Sequence, residues 1–272
     1  MTSSQPSGTQ PSNIVQNTRV QEALEAWSTQ KDPQTHSDVL RRAASGKLLL
    51  DISSSEFADP ANPMQEGDKL AVTSVSDGEG KDLLLAFTEN PRLEAFSPAE
   101  KTTSLAQPGA AALKQAMENH DGIVIDAGTP GAFVAYSDEL GRAFGDSPAD
   151  AAQLASALVD GGVQLDAFVR MLKDAVVYVG GLPVTDEAGE VTGYTVATAT
   201  HPDGRQLHAL FTSPAELWAW KSDAIAQPTT LDRIVASAAE DGMQGLVVNP
   251  VGPAAELSLD WFEVTGDDQT AK

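Results

Sequence analysis

The chain has 272 residues with 39 acidic against 17 basic side chains, a formal net charge of −22. Such a field opposes polyphosphates and anionic bilayers at long range, so neither nucleic acid nor membrane is expected as a partner. No cysteine is present and no apolar run approaches the roughly 18 residues of a membrane span, which excludes disulfide frameworks and structural zinc of the Cys type.

Residues 1–18 are rich in Ser, Thr, Gln and Pro and read as a disordered tail without the basic and apolar regions of a secretory signal. A cytoplasmic location is the expectation that follows. From Arg19 to Gln30, Val20, Ala23, Leu24 and Trp27 recur on one helical face. A second helix, His36 to Ala44, carries Val39, Leu40 and Ala43 and stops at Gly46 before the apolar strand Leu48 to Ile52. Residues 53–67 form a loop; strands at Leu70–Val75 and Leu83–Thr88 then flank a Gly- and Asp-bearing turn. A short helix after Phe87 follows, with Asn90 before Pro91 as its expected cap. Ala110–Asn119 reads as a helix and Ile123–Asp126 as a buried strand. Phe133 and Val134 close this half, and Ser137 is the expected cap of a helix to Phe144.

The second half opens with helices at Ala149–Val159 and Leu165–Leu172, then a strand at Val176–Val179. An acidic turn around Asp186 precedes Tyr194–Thr200, and the loop His201–Arg205 leads into Leu207–Thr212. There the strand meets a helix start written in side chains. Ser213 is the expected N-cap, Pro214 fills the first helical position, and Glu216 stands where it completes a capping box. A further helix carries Leu231, Ile234, Val235 and Ala238 on one face, then come the strand at Gly245–Val248 and a last strand at Leu257–Val264.

These halves repeat each other. Phe211-Thr212-Ser213-Pro214 through Leu217 echoes Phe87-Thr88-Glu89-Asn90 through Leu93 at an offset of 124, and Gly245–Pro250 echoes Gly122–Ala127 at 123. Self-similarity of this kind marks a duplicated unit. The expectation is an α+β chain of two similar domains, each a mixed or antiparallel sheet covered by helices, over residues 19–145 and 146–265, with a frayed end at 266–272.

The second repeat resembles the SseB N-terminal domain family. The resemblance rests on Phe211-Thr212-Ser213 before a short aromatic helix, then Gly245-Leu246-Val247-Val248-Asn249-Pro250 with Gly252 and Pro253. It extends over roughly 165–264, and more weakly over 36–134, where Glu89 replaces Ser213 and Asp126-Ala127 replaces Asn249-Pro250. It implies a bacterial α+β module without assigned catalytic residues or cofactor, with any shared site kept in the second repeat.

Composition and spacing single out no chemistry. His36, His120, His201 and His208 are too scattered for a metal-ligand spacing, and the acidic turns lack the twelve-residue calcium-loop pattern. Gly180-Gly181 precedes a strand-like segment and no phosphate cradle follows it. No cofactor and no metal are expected, and no catalytic residue is assigned. His208 is expected to face solvent or a helix, and Trp218 and Trp220, two apart, to pack on different neighbours. The expected binding surface is the convergence of the Ser213 helix start with the Asn249–Gly252 turn, with Thr212, Ser213, Trp218, Asn249 and Gly252 as ligand- or partner-binding candidates. The reading is a non-catalytic binding or regulatory module for a protein or a small anionic metabolite, with a homo-oligomer as an admissible assembly. The alternative is a hydrolase-type enzyme using Thr212, Ser213 and nearby carboxylates.

Overall fold

A computed structural model describes residues 16–58, 65–145, 148–186 and 188–262. The first repeat runs α1 (Thr18–Thr29), α2 (Pro33–Ala44), β1 (Lys47–Asp51), β2 (Ser74–Ser76), β3 (Asp82–Phe87), α3 (Asn90–Phe96), β4 (Ser104–Pro108), α4 (Gly109–Asn119), β5 (Gly122–Ile125), β6 (Phe133–Tyr136) and α5 (Ser137–Phe144). The second runs α6 (Pro148–Asp160), α7 (Leu165–Asp174), β7 (Val177–Thr185), β8 (Val191–Val196), β9 (Thr198–Thr200), β10 (Gln206–Leu210), α8 (Pro214–Trp220), β11 (Ile225–Thr229), α9 (Leu231–Glu240), β12 (Gly245–Val248) and β13 (Ala255–Ser258).

The first sheet has the order β4-β1-β3-β5-β6, with β2 also on β3; β3 and β5 are parallel and the other pairs antiparallel. The second repeat reproduces this path. Its strands β11-β7-β8 and β13-β12-β10-β9 join where Tyr178 and Phe211 exchange main-chain hydrogen bonds of 2.8 Å, which sets β11-β7-β10-β12-β13. Register confirms the likeness: Val75 lies opposite Leu83 as Ala199 lies opposite Leu207. The α+β class and the mixed sheets expected from the sequence are what the chain forms.

Alternation along buried strands sends side chains to two layers. In the first repeat Leu48, Leu50, Leu84, Ile123 and Ile125 meet the helices, while Leu49, Leu83, Leu85 and Phe87 meet α3. In the second, Leu210, Leu246 and Val248 meet α7 and α9, and Leu207, Ala209 and Phe211 meet α8. One glycine is shared for a steric reason. A Cβ on Gly122 would stand 2.3 Å from the Ala135 carbonyl oxygen, and one on Gly245 2.6 Å from that of Leu257, so each parallel strand starts where its antiparallel neighbour leaves no room.

Several expectations need correction. Strands β4 and β11 were not anticipated; both are half-exposed edge strands with a proline near the end, which weakens the period-two signal. The strand expected at Leu70–Val75 is β2 at Ser74–Ser76, and that expected at Leu257–Val264 is β13, followed by a 3₁₀ turn at Leu259–Trp261. Asn90 does not cap α3; Glu89 occupies the cap position without a side-chain capping bond, and Asn90 accepts from Ser104 instead, while Tyr136 rather than Ser137 takes the cap position of α5. Of the tail expected over 1–18, residues 1–15 lie outside the described residues, as do Pro60, Pro63, Glu187 and the end from 263. Asn17 is held by its N–H to the Thr88 carbonyl and caps α1.

Candidate functional site at the strand–helix junctions

Each repeat ends its third sheet strand on a threonine that faces the turn after the parallel strand. In the first, the Asp126 carboxylate accepts the Thr88 N–H and the Thr88 hydroxyl, both at 2.8 Å. In the second, Asn249 Oδ1 accepts the Thr212 N–H and its Nδ2 donates to Thr212 Oγ1, both at 3.0 Å. Asp126 and Asn249 have φ of 54° and 50°, the left-handed region that Asp and Asn enter most readily among non-glycine residues. The turn conformation aims each side chain back at its threonine.

The surroundings of the two clasps differ in charge. In the first repeat Arg92 Nη1 lies 2.7 Å from Asp126 and its Nε donates to Glu89 at 3.0 Å, so the charges close within the repeat. Burial pushes the Asp126 carboxyl up, against the pull of Thr88 and Arg92. In the second repeat Glu216 stands where Arg92 stands, at the offset of 124 residues, and Ser213 replaces Glu89. Glu216 is 5% exposed and its charged partner comes from the other repeat: Arg41 of α2, 3% exposed, with Nη1 3.5 Å from Glu216 Oε2 and Nε donating to Asp38 at 2.7 Å. Burial raises the Glu216 carboxyl and Arg41 opposes that rise.

The α8 helix is thus covered by the first repeat. Ala215 belongs to the first repeat's core, and Gln34 of α2 donates to the Ala219 carbonyl at 2.9 Å. The Ser213 hydroxyl accepts the Glu216 N–H at 3.3 Å, as the capping pattern requires. The second half of the expected capping box does not form, because the Glu216 carboxylate turns to Arg41 rather than back to the Ser213 N–H. Gly252 sits over this pair; a Cβ there would be 3.0 Å from Arg41 Nη1.

The candidates therefore divide. Thr212, Ser213, Asn249 and Gly252 converge, and the first three are at most 2% exposed. Trp218 stands apart, its indole N–H donating to the Ala224 carbonyl at 3.1 Å, on a shallow groove with His36, Glu139 and Arg142. Trp218 and Trp220 border the same apolar cluster but have different neighbours, Trp220 stacking near Phe211 and Trp218 reaching the Ala224 carbonyl where the chain turns at Lys221–Ala224. His208 makes a helix contact, with Nε2 3.2 Å from Asp241 past the end of α9, and burial lowers its pKa. Arg41 was missed. Its helix shows an ordinary polar face, and nothing in the sequence distinguishes a solvated arginine there from one that meets another domain.

Thr212 also borders a cleft of about 620 Å³ between α5, α6, α7 and β7. Phe144, Leu154, Met171 and Tyr178 line it, and the acidic residues of its lining are Asp150 and Asp174. The first repeat has a separate groove of about 690 Å³ lined by α1, Arg92 and the Thr129–Gly131 turn.

The comparison with known families decides the relationship: the model of the SseB protein N-terminal domain matches residues 20–141 and again residues 151–259. The chain belongs to the SseB family. It holds two SseB domains in tandem, and the Thr–Asx clasp recurs in both. No curated protein and no solved structure matches the chain. Among the described residues, no helix is long and apolar enough to cross a membrane, and no group of three or more His, Cys, Asp or Glu is placed to hold a metal ion.

Proposed function

We propose that this SseB-family protein is a binding module rather than a catalyst, and that its second domain takes a lysine or arginine of a partner protein in the cleft beside Thr212. The observation that carries this reading is the lining of that cleft: Phe144, Leu154, Met171 and Tyr178 for the stem of a long cationic side chain, and Asp150 and Asp174 as its only charged residues among those described. The chain's acidity adds long-range attraction for a basic partner. The hydroxyls speak against the hydrolase alternative, since Ser213 Oγ is engaged by the Glu216 N–H and Thr212 Oγ1 by Asn249, and neither bond is to a base. A small anion at the α8 N-terminus is the weaker occupant, because α2 covers that end and Glu216 and Arg41 already face each other there. Ser213, Asn249 and Gly252 act in this reading by holding Thr212 and α8 in place. We take residues 19–145 and 146–265 as the two units, working in the bacterial cytoplasm.

The test is a photo-crosslinking side chain at Val176, which lines the cleft and is 60% exposed, followed by sequencing of the crosslinked peptides from cells. The expected result is a peptide from one protein with Lys or Arg at the crosslink, lost on Asp174→Lys. Crosslinks to acidic or uncharged segments that survive the charge reversal contradict the reading. Turnover of a small molecule that depends on Thr212 would restore the enzyme alternative.

A further inference from the structure

In the first domain α8 covers one face of α2, and the second domain leaves the equivalent face of α7 open. Leu49 and Tyr178 hold the same place, opposite Phe87 and Phe211, so the stretch from α2 into β1 matches that from α7 into β7 at an offset of 129. Burial agrees with this match: Val39 and Ala43, buried in α2, fall on Phe168 and Leu172, buried in α7. Arg41 then falls on Arg170. Each arginine keeps a carboxylate of its own helix, Arg41 bonding Asp38 at 2.7 Å and Arg170 lying 3.0 Å from Asp166. They differ in what covers them. Arg41 is sealed under α8 against Glu216, whereas the Arg170 side chain is 67% exposed.

Three further residues that border α8 in the first domain match exposed apolar residues in the second. Gln34, whose amide bonds the Ala219 carbonyl, falls on Val163, and His36, beside Trp218 in the shallow groove, falls on Leu165. Glu139, on the α5 side of that groove, falls on Trp261: Tyr136 pairs with Gly122 as Ser258 pairs with Gly245, and both residues lie three positions further on. Val163, Leu165 and Trp261 are all exposed. The positions that seat a helix in one domain thus carry, in the other, an uncovered arginine and three large apolar side chains. That is the composition of a protein-binding surface, in which aromatic and arginine side chains act as anchors.

We propose that this face of α7 docks a short helix of another protein, one that presents a glutamate among small and aromatic residues as α8 does, with the glutamate paired to Arg170. Charge selects that occupant. The face that α8 buries is Pro214 through Leu217, and within it Glu216 is the group that meets Arg41. A second copy of this chain does not offer the same match. Its α8 is already seated on its own α2, and its α3 carries Arg92 where α8 has Glu216, which sets arginine against arginine.

The experiment measures binding of a labelled peptide to the full chain by fluorescence anisotropy. The peptide has the sequence of residues 211–221, stapled on the side away from Glu216, because so short a helix does not form unaided in water. In the full chain the α2 seat is already filled by α8, which leaves the α7 face for the peptide. The native peptide and its Glu216→Arg form are each titrated with the native chain and with Arg170→Glu; Arg170 is exposed, and circular dichroism checks that the variant keeps the fold. The native peptide should bind the native chain and lose about tenfold or more in affinity for Arg170→Glu, and the Glu216→Arg peptide should show the reverse preference. No binding of the native peptide to the native chain, or binding of either peptide that ignores the sign of charge at residue 170, would overturn the proposal.

Discussion

The two SseB domains solve one problem in two ways. Both clasp a strand-ending threonine with an Asx side chain in a left-handed turn. The first domain makes the clasp acidic, with Asp126, and neutralises it locally with Arg92, which Glu89 also holds. Its α3 keeps only Leu93 buried. The second domain makes the clasp neutral, with Asn249, and puts the charge on Glu216, which has its partner in Arg41 of the first domain; α8 then buries Pro214 through Leu217 and Ala219. Closing a charge within a domain lets its helix face water. Opening it toward a neighbour ties the two domains together, because a buried carboxylate without its cation is costly.

The largest effect should come from breaking the tie. Arg41→Ala leaves Glu216 buried and without its cation and should cost about 3–5 kcal/mol in urea denaturation, whereas Arg41→Met with Glu216→Leu, which removes both charges, should recover most of that loss. Next is Asn249→Asp, which copies the first domain's carboxylate into a site with no Arg92; we expect a loss of about 1–3 kcal/mol, larger than that of Asp126→Asn. A denaturation series in which the two swaps cost the same would erase the distinction between the domains. Arg92→Ala comes third. It should destabilise by about 1–2 kcal/mol, and the loss should shrink in an Asp126→Asn background, since Arg92 would no longer face a buried carboxylate.

A smaller effect is expected in the pH dependence. Burial raises the Glu216 carboxyl above its ordinary value of 4.5 in the folded chain, so the folded state binds the proton more tightly than the unfolded one. The stability this contributes is present at low pH and is lost as pH rises from the ordinary carboxylate range through the folded value. Glu216→Gln should remove that slope, so that the native chain loses stability relative to the variant as pH climbs from about 4 toward neutrality. Parallel stability–pH curves for the two proteins would contradict the account. The smallest expected change is Trp218→Phe, which gives up one hydrogen bond to Ala224 at about 1 kcal/mol.

Much of the framework was legible because its signals are local. Val39, Leu40 and Ala43 set the face of α2, and Phe168 and Leu172 that of α7, although Leu165, expected on the same face, is exposed. Ser213-Pro214 announced α8, and the offset of the Phe87 and Phe211 junctions exposed the duplication. The convergence of Thr212 with Asn249 was also readable, from the repeat. What escaped depends on the tertiary arrangement. Edge strands β4 and β11 bury few side chains and carry no clear alternation. Glu216 satisfies the capping-box pattern, yet Arg41, 175 residues away, takes its carboxylate. Local sequence logic names the better of two nearby partners and is blind to a distant one.

The measurement that tests the central claim most directly is a double-mutant cycle between Arg41 and Glu216, using Arg41→Met and Glu216→Gln with unfolding free energies at neutral pH. If the second domain's charge is held by the first, the two substitutions should be non-additive by about 1–3 kcal/mol. Additive losses would mean that Arg41 and Glu216 do not depend on each other, and that the domains are joined by apolar packing and by bonds such as that of Gln34 to the Ala219 carbonyl.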